Sequence, residues 1–152
     1  MIVVVILLQA LPALAYSNSI KFYTYNNCSS WKTKVVMEVK GIENTDLSYA
    51  EKISSGSIGN TSDEATAWFL TPTTYRWKIT LYSFDIAKKE DVTKLAEFTV
   101  KCVNYFLLSP TITEFVIEDK AIYKGDITFE KNTWGGGSYG TFDVYIKDAG
   151  QD

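Results

Sequence analysis

The sequence predicts an all-β protein: an antiparallel β-sandwich of about seven to nine strands, in one domain, with one inter-strand disulfide. Three observations carry this. Short runs rich in Val, Ile, Thr, Tyr, Phe and Trp recur along the chain, separated by polar or Gly-bearing stretches. The run Tyr75 to Phe84 alternates in strict period two. Two cysteines, Cys28 and Cys102, stand in a chain whose opening reads as a secretory signal.

That opening is an uncharged apolar run, Met1 to Leu8, continuing through Gln9-Ala10-Leu11-Pro12 to the small-x-small triplet Ala13-Leu14-Ala15. The run is shorter than the about 20 apolar residues that cross a bilayer. Residues 1–15 are therefore expected to be removed, leaving Tyr16–Asp152 as a secreted, extracellular single domain with no membrane span. In an oxidising compartment Cys28 and Cys102 are expected to pair, a closure that would stabilise by roughly 4 kcal/mol in the chain-entropy model. Asn27-Cys28-Ser29 and Asn60-Thr61-Ser62 match the N-glycosylation acceptor pattern, with Asn60 in a Ser, Gly and Thr stretch that suits exposure.

The expected strands follow in order. Ile20 to Tyr25 is the first, and Thr33 to Lys40 the second, with Val35, Met37 and Val39 on one face. Residues 53–63 read as an exposed loop. Ala65 to Leu70 is a third strand, ended by Thr71-Pro72-Thr73-Thr74. In Tyr75 to Phe84, Tyr75, Trp77, Ile79 and Leu81 form the apolar face and Arg76, Lys78, Thr80 and Tyr82 the mixed one. Asp85 to Asp91 reads as a charged turn. Val92 to Leu108 carries two patterns: Val92, Leu95, Ala96 and Thr99 fall at helical spacing, while Ala96, Phe98, Val100 and Cys102 alternate. The β-favouring Phe98-Thr99-Val100 tips this segment to a strand, with a helical turn left open near its end. Glu114 to Ile117, Ala121 to Glu130 and Thr141 to Lys147 complete the set, and Lys131 to Gly140 reads as a flexible turn carrying Trp134 and Tyr139 beside a triple glycine.

Composition excludes several chemistries. The chain has no histidine, which removes imidazole acid–base and Ser-His or Cys-His nucleophilic sites as well as His-based zinc sites. Net charge is −3 and Arg76 is the only arginine, against what a nucleic-acid face requires. Gly135-Gly136-Gly137 has no following Lys-Ser/Thr, so no phosphate loop is present. No cofactor or metal is implied. A carboxylate pair, Glu114 with Glu118, and a calcium set of Glu118, Asp119 and Asp126 are the remaining arrangements; both read first as solvated charge, and no enzyme is expected.

What remains is binding. Aromatic residues make up 14% of the chain. Trp134 and Tyr139 are candidates for a protein partner, and Trp31 is an aromatic beside the first cysteine. Phe22, Trp77, Ile79, Leu81, Phe98, Phe106, Phe129 and Phe142 would line a cavity if the sheets splay around a lipid or small apolar ligand.

Three stretches together resemble the MD-2-related lipid-recognition family and its GM2-activator-like branches: Phe22-Tyr23-Thr24-Tyr25-Asn26-Asn27-Cys28, Leu95 to Phe106 with Cys102 inside it, and Gly137 to Ile146. The resemblance implies a β-sandwich whose interior takes an acyl chain or sterol. Such domains carry further cysteines, including a late one, and this chain has none after Cys102. The rival is an immunoglobulin-like or other secreted sandwich gripping a protein partner, although no Trp lies a short strand after Cys28 and no Tyr two residues before Cys102. The expected function is thus a secreted, non-enzymatic ligand-binding protein, for a lipid between the sheets or for a protein partner on exposed aromatics.

Overall fold

Extended strand runs through most of residues 15–86, 92–106, 108–137 and 139–148, the residues described by the computed structural model. Nine strands form among them: β1 (Ala15–Asn26), β2 (Thr33–Glu43), β3 (Ser48–Ser54), β4 (Ile58–Trp68), β5 (Thr73–Asp85), β6 (Val92–Phe106), β7 (Pro110–Ile122), β8 (Asp126–Trp134) and β9 (Tyr139–Lys147). They make two sheets, a small one in the order β4-β1-β9-β8 and a large one in the order β3-β2-β5-β6-β7. No helix among the described residues is long and apolar enough to cross a membrane. The predicted signal peptide falls outside the described residues except for Ala15, which opens β1.

The sandwich is antiparallel with one exception. β1 and β9 run parallel, from Ser19 opposite Tyr139 to Asn26 opposite Ile146. A parallel neighbour needs a long crossover, and here the whole of β2 to β8 supplies it, so the first and last strands lie side by side in the centre of the small sheet.

The predicted disulfide is not formed. The carbonyl of Cys28 accepts the Ser55 hydroxyl, next to Ser54; Ser54 lies opposite Lys34, and Lys34 opposite Phe84 on β5. Cys102 lies opposite Tyr75, at the other end of β5. The two levels are about 30 Å apart at roughly 3.3 Å per extended residue, and a bridge tolerates at most about 7 Å between Cα atoms. Burial pushes the Cys102 thiol up to about 12.

Other departures have local causes. The expected loop at 53–63 is the end of β3, a turn, and the start of β4. Its outward positions include Ser54, Asn60 and Ser62, which mask the alternation that buries Ile53 and Gly59. Two bulges interrupt the pairings of β6, each setting two residues against one, and the first accounts for the helical spacing around Val92 to Thr99. One inserts Leu95 into β6 between the Leu81–Ala96 and Tyr82–Lys94 pairs, so that Leu95 and Ala96 are both fully buried. The other lies across the Glu97/Thr99 step, where Asp119 of β7 takes a positive φ of 49°. Among the described residues no helical turn ends β6. Ala121 to Glu130 is two strands, divided at Gly125 with φ 86°. Trp134 ends β8 and Tyr139 opens β9, with a 3₁₀ turn at Gly135–Gly137 between them.

The inward faces meet through aromatic rings. Phe22 of β1 meets Trp77 of β5 edge-on at 5.3 Å, and Phe98 of β6 meets Phe129 and Phe142 at 4.8 and 5.5 Å. Full burial of such a ring is worth about 1.5–3 kcal/mol. The Trp77 indole N–H finds its acceptor in Asp63 Oδ2 at 2.7 Å. One buried polar clamp joins the sheets: Asn18 donates to Asn104 Oδ1 at 2.6 Å, and Asn104 donates to the Ala65 carbonyl at 2.5 Å.

Candidate functional site

Because side chains alternate across a strand, the odd-numbered residues of β1 and β9 point away from the core. Their register sets out the outer face of the small sheet as rows crossing four strands. Ile58, Tyr25, Tyr145 and Thr128 make one row; Asn60, Tyr23, Asp143 and Glu130 the next; Ser62, Lys21, Thr141 and Asn132 a third; Glu64, Ser19, Tyr139 and Trp134 a fourth.

Four tyrosines gather on this face. Tyr25 and Tyr145 stack with centroids 4.7 Å apart and planes at 9°. Tyr23 lies 6.4 Å from Tyr25. Lys21 Nζ sits 5.5 Å over the Tyr139 ring, and the Trp134 indole donates to Thr141 Oγ1 at 3.4 Å.

Asp143 sits among them. Its Oδ1 is buried and makes no hydrogen bond. Burial first, and the Glu130 charge second, hold its carboxyl above the usual carboxylate range. Burial and the neighbouring carboxylates likewise raise the Tyr25 and Tyr145 hydroxyls. A buried acceptor without a donor is unfavourable, and on a solvent-facing sheet it is the kind of group a ligand satisfies.

Beside the stack lies a shallow hollow of about 330 Å³. It is lined by Asn27, Asp126, Thr128, Glu130, Tyr145 and Lys147, with the Ile146 backbone beneath. Tyr25 covers one face of the Tyr145 ring, so the wall Tyr145 presents here is the opposite face. Its hydroxyl donates to Glu130 Oε2 at 3.4 Å. Asn27 is fixed at the rim by its N–H, which donates to the Ile146 carbonyl at 2.8 Å.

The residues singled out from sequence separate into an interior set and an exterior set. Phe22, Trp77, Ile79, Leu81, Phe98 and Phe142 are at most 1% exposed and belong to one core cluster. Phe129 is partly buried against that cluster. Phe106 lies at the sandwich end, 5.0 Å from Tyr16 and 5.7 Å from Phe69. The structure brings Trp134 and Tyr139 together as cross-strand partners on the rim of the tyrosine face. Trp31 is exposed with Lys32 over its ring. Asn60 is exposed in the row of Tyr23, and Asn27 is exposed at the hollow.

The carboxylate pair is committed elsewhere. Glu114 accepts from Lys101 at 2.9 Å, and Glu118 from Arg76 at 2.9 Å. Arg76 also bonds Glu43, and its contact holds the Glu118 carboxyl below its ordinary range. No group of three or more metal-ligating side chains forms among the described residues.

Tyr23, Tyr25, Asp143 and Tyr145 escaped the sequence reading, which named Glu130 only as one of a run of carboxylates. The available signal was polar-aromatic alternation on strands whose other face is core: Lys21-x-Tyr23-x-Tyr25 and Tyr139-x-Thr141-x-Asp143-x-Tyr145. A scan against protein-family models and searches of curated proteins and of solved structures find no match.

Proposed function

We propose that this chain is a secreted, non-enzymatic binding module whose ligand docks on the outer tyrosine face of the small sheet. The single observation that carries the reading is the buried, donor-less Asp143 Oδ1 at the centre of four tyrosines on an outward face. Rigid aromatic side chains supply contact area at small entropic cost, and a few fixed polar groups supply orientation. The carboxylates with defined partners on the large sheet are neutralised by Arg76, Lys101, Lys78 and Lys94. That pairing favours the small sheet as the binding face.

Of the residues proposed to line a lipid cavity, Phe22, Trp77, Phe98, Phe129 and Phe142 contact one another across the sheets, which supports an exterior site over an interior one. The test is native mass spectrometry of the secreted protein, delipidated and then exposed to a mixture of phospholipid, fatty acid and sterol. The expected spectrum shows the polypeptide with its own N-glycans and nothing else bound. A stoichiometric lipid adduct would return the ligand to the space between the sheets.

A further inference from the structure

We infer that the hollow beside Tyr145 is a saccharide site, taking a neutral or amino-sugar glycan; the inference rests on the outer-face reading and names its ligand class. Three features of the hollow fit a sugar. The first is its wall. One face of the Tyr145 ring is used by Tyr25, and Tyr145 also lines the hollow, so its other face is the one left to form the wall. An aromatic face is electron-rich, and the C–H patch of a pyranose ring is the complementary surface, weakly positive and flat.

The second feature is the mixture of polar groups at the edge of that wall. Glu130 and Asp126 are acceptors only, Lys147 is a donor only, and Asn27 and Thr128 are both. A ring of hydroxyls, each able to donate and accept, can satisfy such a set without importing charge. Asp143, next to Glu130 in its row, adds a buried acceptor that still lacks a donor.

Sign is the third. Asp126 and Glu130 outnumber Lys147 in the lining, and Asp143 adjoins Glu130, so sialylated or sulfated glycans are disfavoured by like charge. An apolar acyl chain would leave these groups desolvated and unpaired. The shallow hollow has no deep apolar pocket of the sort that anchors a protein hot spot.

Asn27 at the rim is an acceptor candidate for the chain's own sugar, so the test removes that source while leaving Asn27 in place. Secreted protein carrying Ser29→Ala and Ser62→Ala, which abolish both acceptor patterns, is applied to an array of neutral, amino and acidic glycans. The strongest interaction is then measured by titration calorimetry. Binding to a neutral or amino-sugar glycan is expected, weakened about tenfold or more in Tyr145→Ala and in Glu130→Gln, and largely retained in Tyr145→Phe, which keeps the wall. A blank array with a protein of native circular dichroism overturns the saccharide assignment and leaves the lipid experiment, the test of the outer-face reading, untouched. Binding that is unchanged in both Tyr145→Ala and Glu130→Gln overturns it as well, because the sugar then sits elsewhere.

Discussion

Tyr25 and Tyr145 stack at 4.7 Å because they are direct partners in the parallel β1–β9 pair. Neighbouring strands lie about 4.8 Å apart, so two rings standing up from opposed positions meet at that spacing without distortion. The stack joins the two ends of the chain's strand order and holds the Tyr145 ring against the hollow.

The pair should therefore be energetically coupled. In a double-mutant cycle of Tyr25→Leu and Tyr145→Leu, urea denaturation should give an interaction energy of about 0.5–1.5 kcal/mol. A value near zero would mean that the rings touch without supporting each other.

The Asn18–Asn104 clamp is the costliest polar element to break. Asn104→Leu leaves the Asn18 amide and the Ala65 carbonyl buried without their partner, a loss of about 2–3 kcal/mol. The double variant Asn18→Leu/Asn104→Leu should cost less than the sum of the singles, since one set of orphaned groups disappears. Chemical denaturation of the four proteins checks both statements.

The cysteines should behave as buried thiols. Intact mass should be that of two reduced cysteines, and adding reductant should leave the melting temperature within about 1 °C. Iodoacetamide should leave Cys102 unmodified at pH 8 in the folded protein, because its thiol is buried and pushed up to about 12, and should modify it in urea. Rapid native labelling would contradict the burial.

Two carboxylates should tilt the pH profile in opposite directions. Glu97, held at about 2 by Lys94, Tyr123 and Lys78, favours the folded state above its ordinary value of 4.5, a contribution lost as pH falls from there toward 2. Asp143 is raised from 3.8, so folding favours its protonated form. That favour is complete below about pH 3.8 and lost as pH rises through the higher folded value. Asp143→Asn should accordingly raise the melting temperature at pH 7, with the gain shrinking as pH falls toward 3.8 and gone below it, and it should weaken ligand binding. Melting curves from pH 3 to 7 read both arms.

Legibility in the sequence followed the strength of the alternation. Tyr75 to Phe84 announced β5 because Trp77, Ile79 and Leu81 alternate with charged and hydroxyl residues. The start of β4 was hidden, since Gly59 faces inward without a side chain and its outward residues are those of loops. The bridge between Cys28 and Cys102 was expected from an even count, but a count carries no information about level along a strand. The tyrosine face was half visible. Each tyrosine lies on a readable strand, yet the face exists only because β1 and β9 are parallel neighbours, and that pairing joins residues more than a hundred positions apart.

The most direct measurement is an aromatic-ring NMR titration of protein carrying ¹³C-labelled Tyr, Phe and Trp, run with the strongest glycan from the array and separately with the lipid mixture. The outer-face account predicts that the glycan shifts Tyr23, Tyr25, Tyr139 and Tyr145 while Phe22, Phe98, Phe142 and Trp77 stay in place, and that the lipid moves neither set. Shifts confined to the interior rings on adding lipid would contradict it and place the ligand between the sheets.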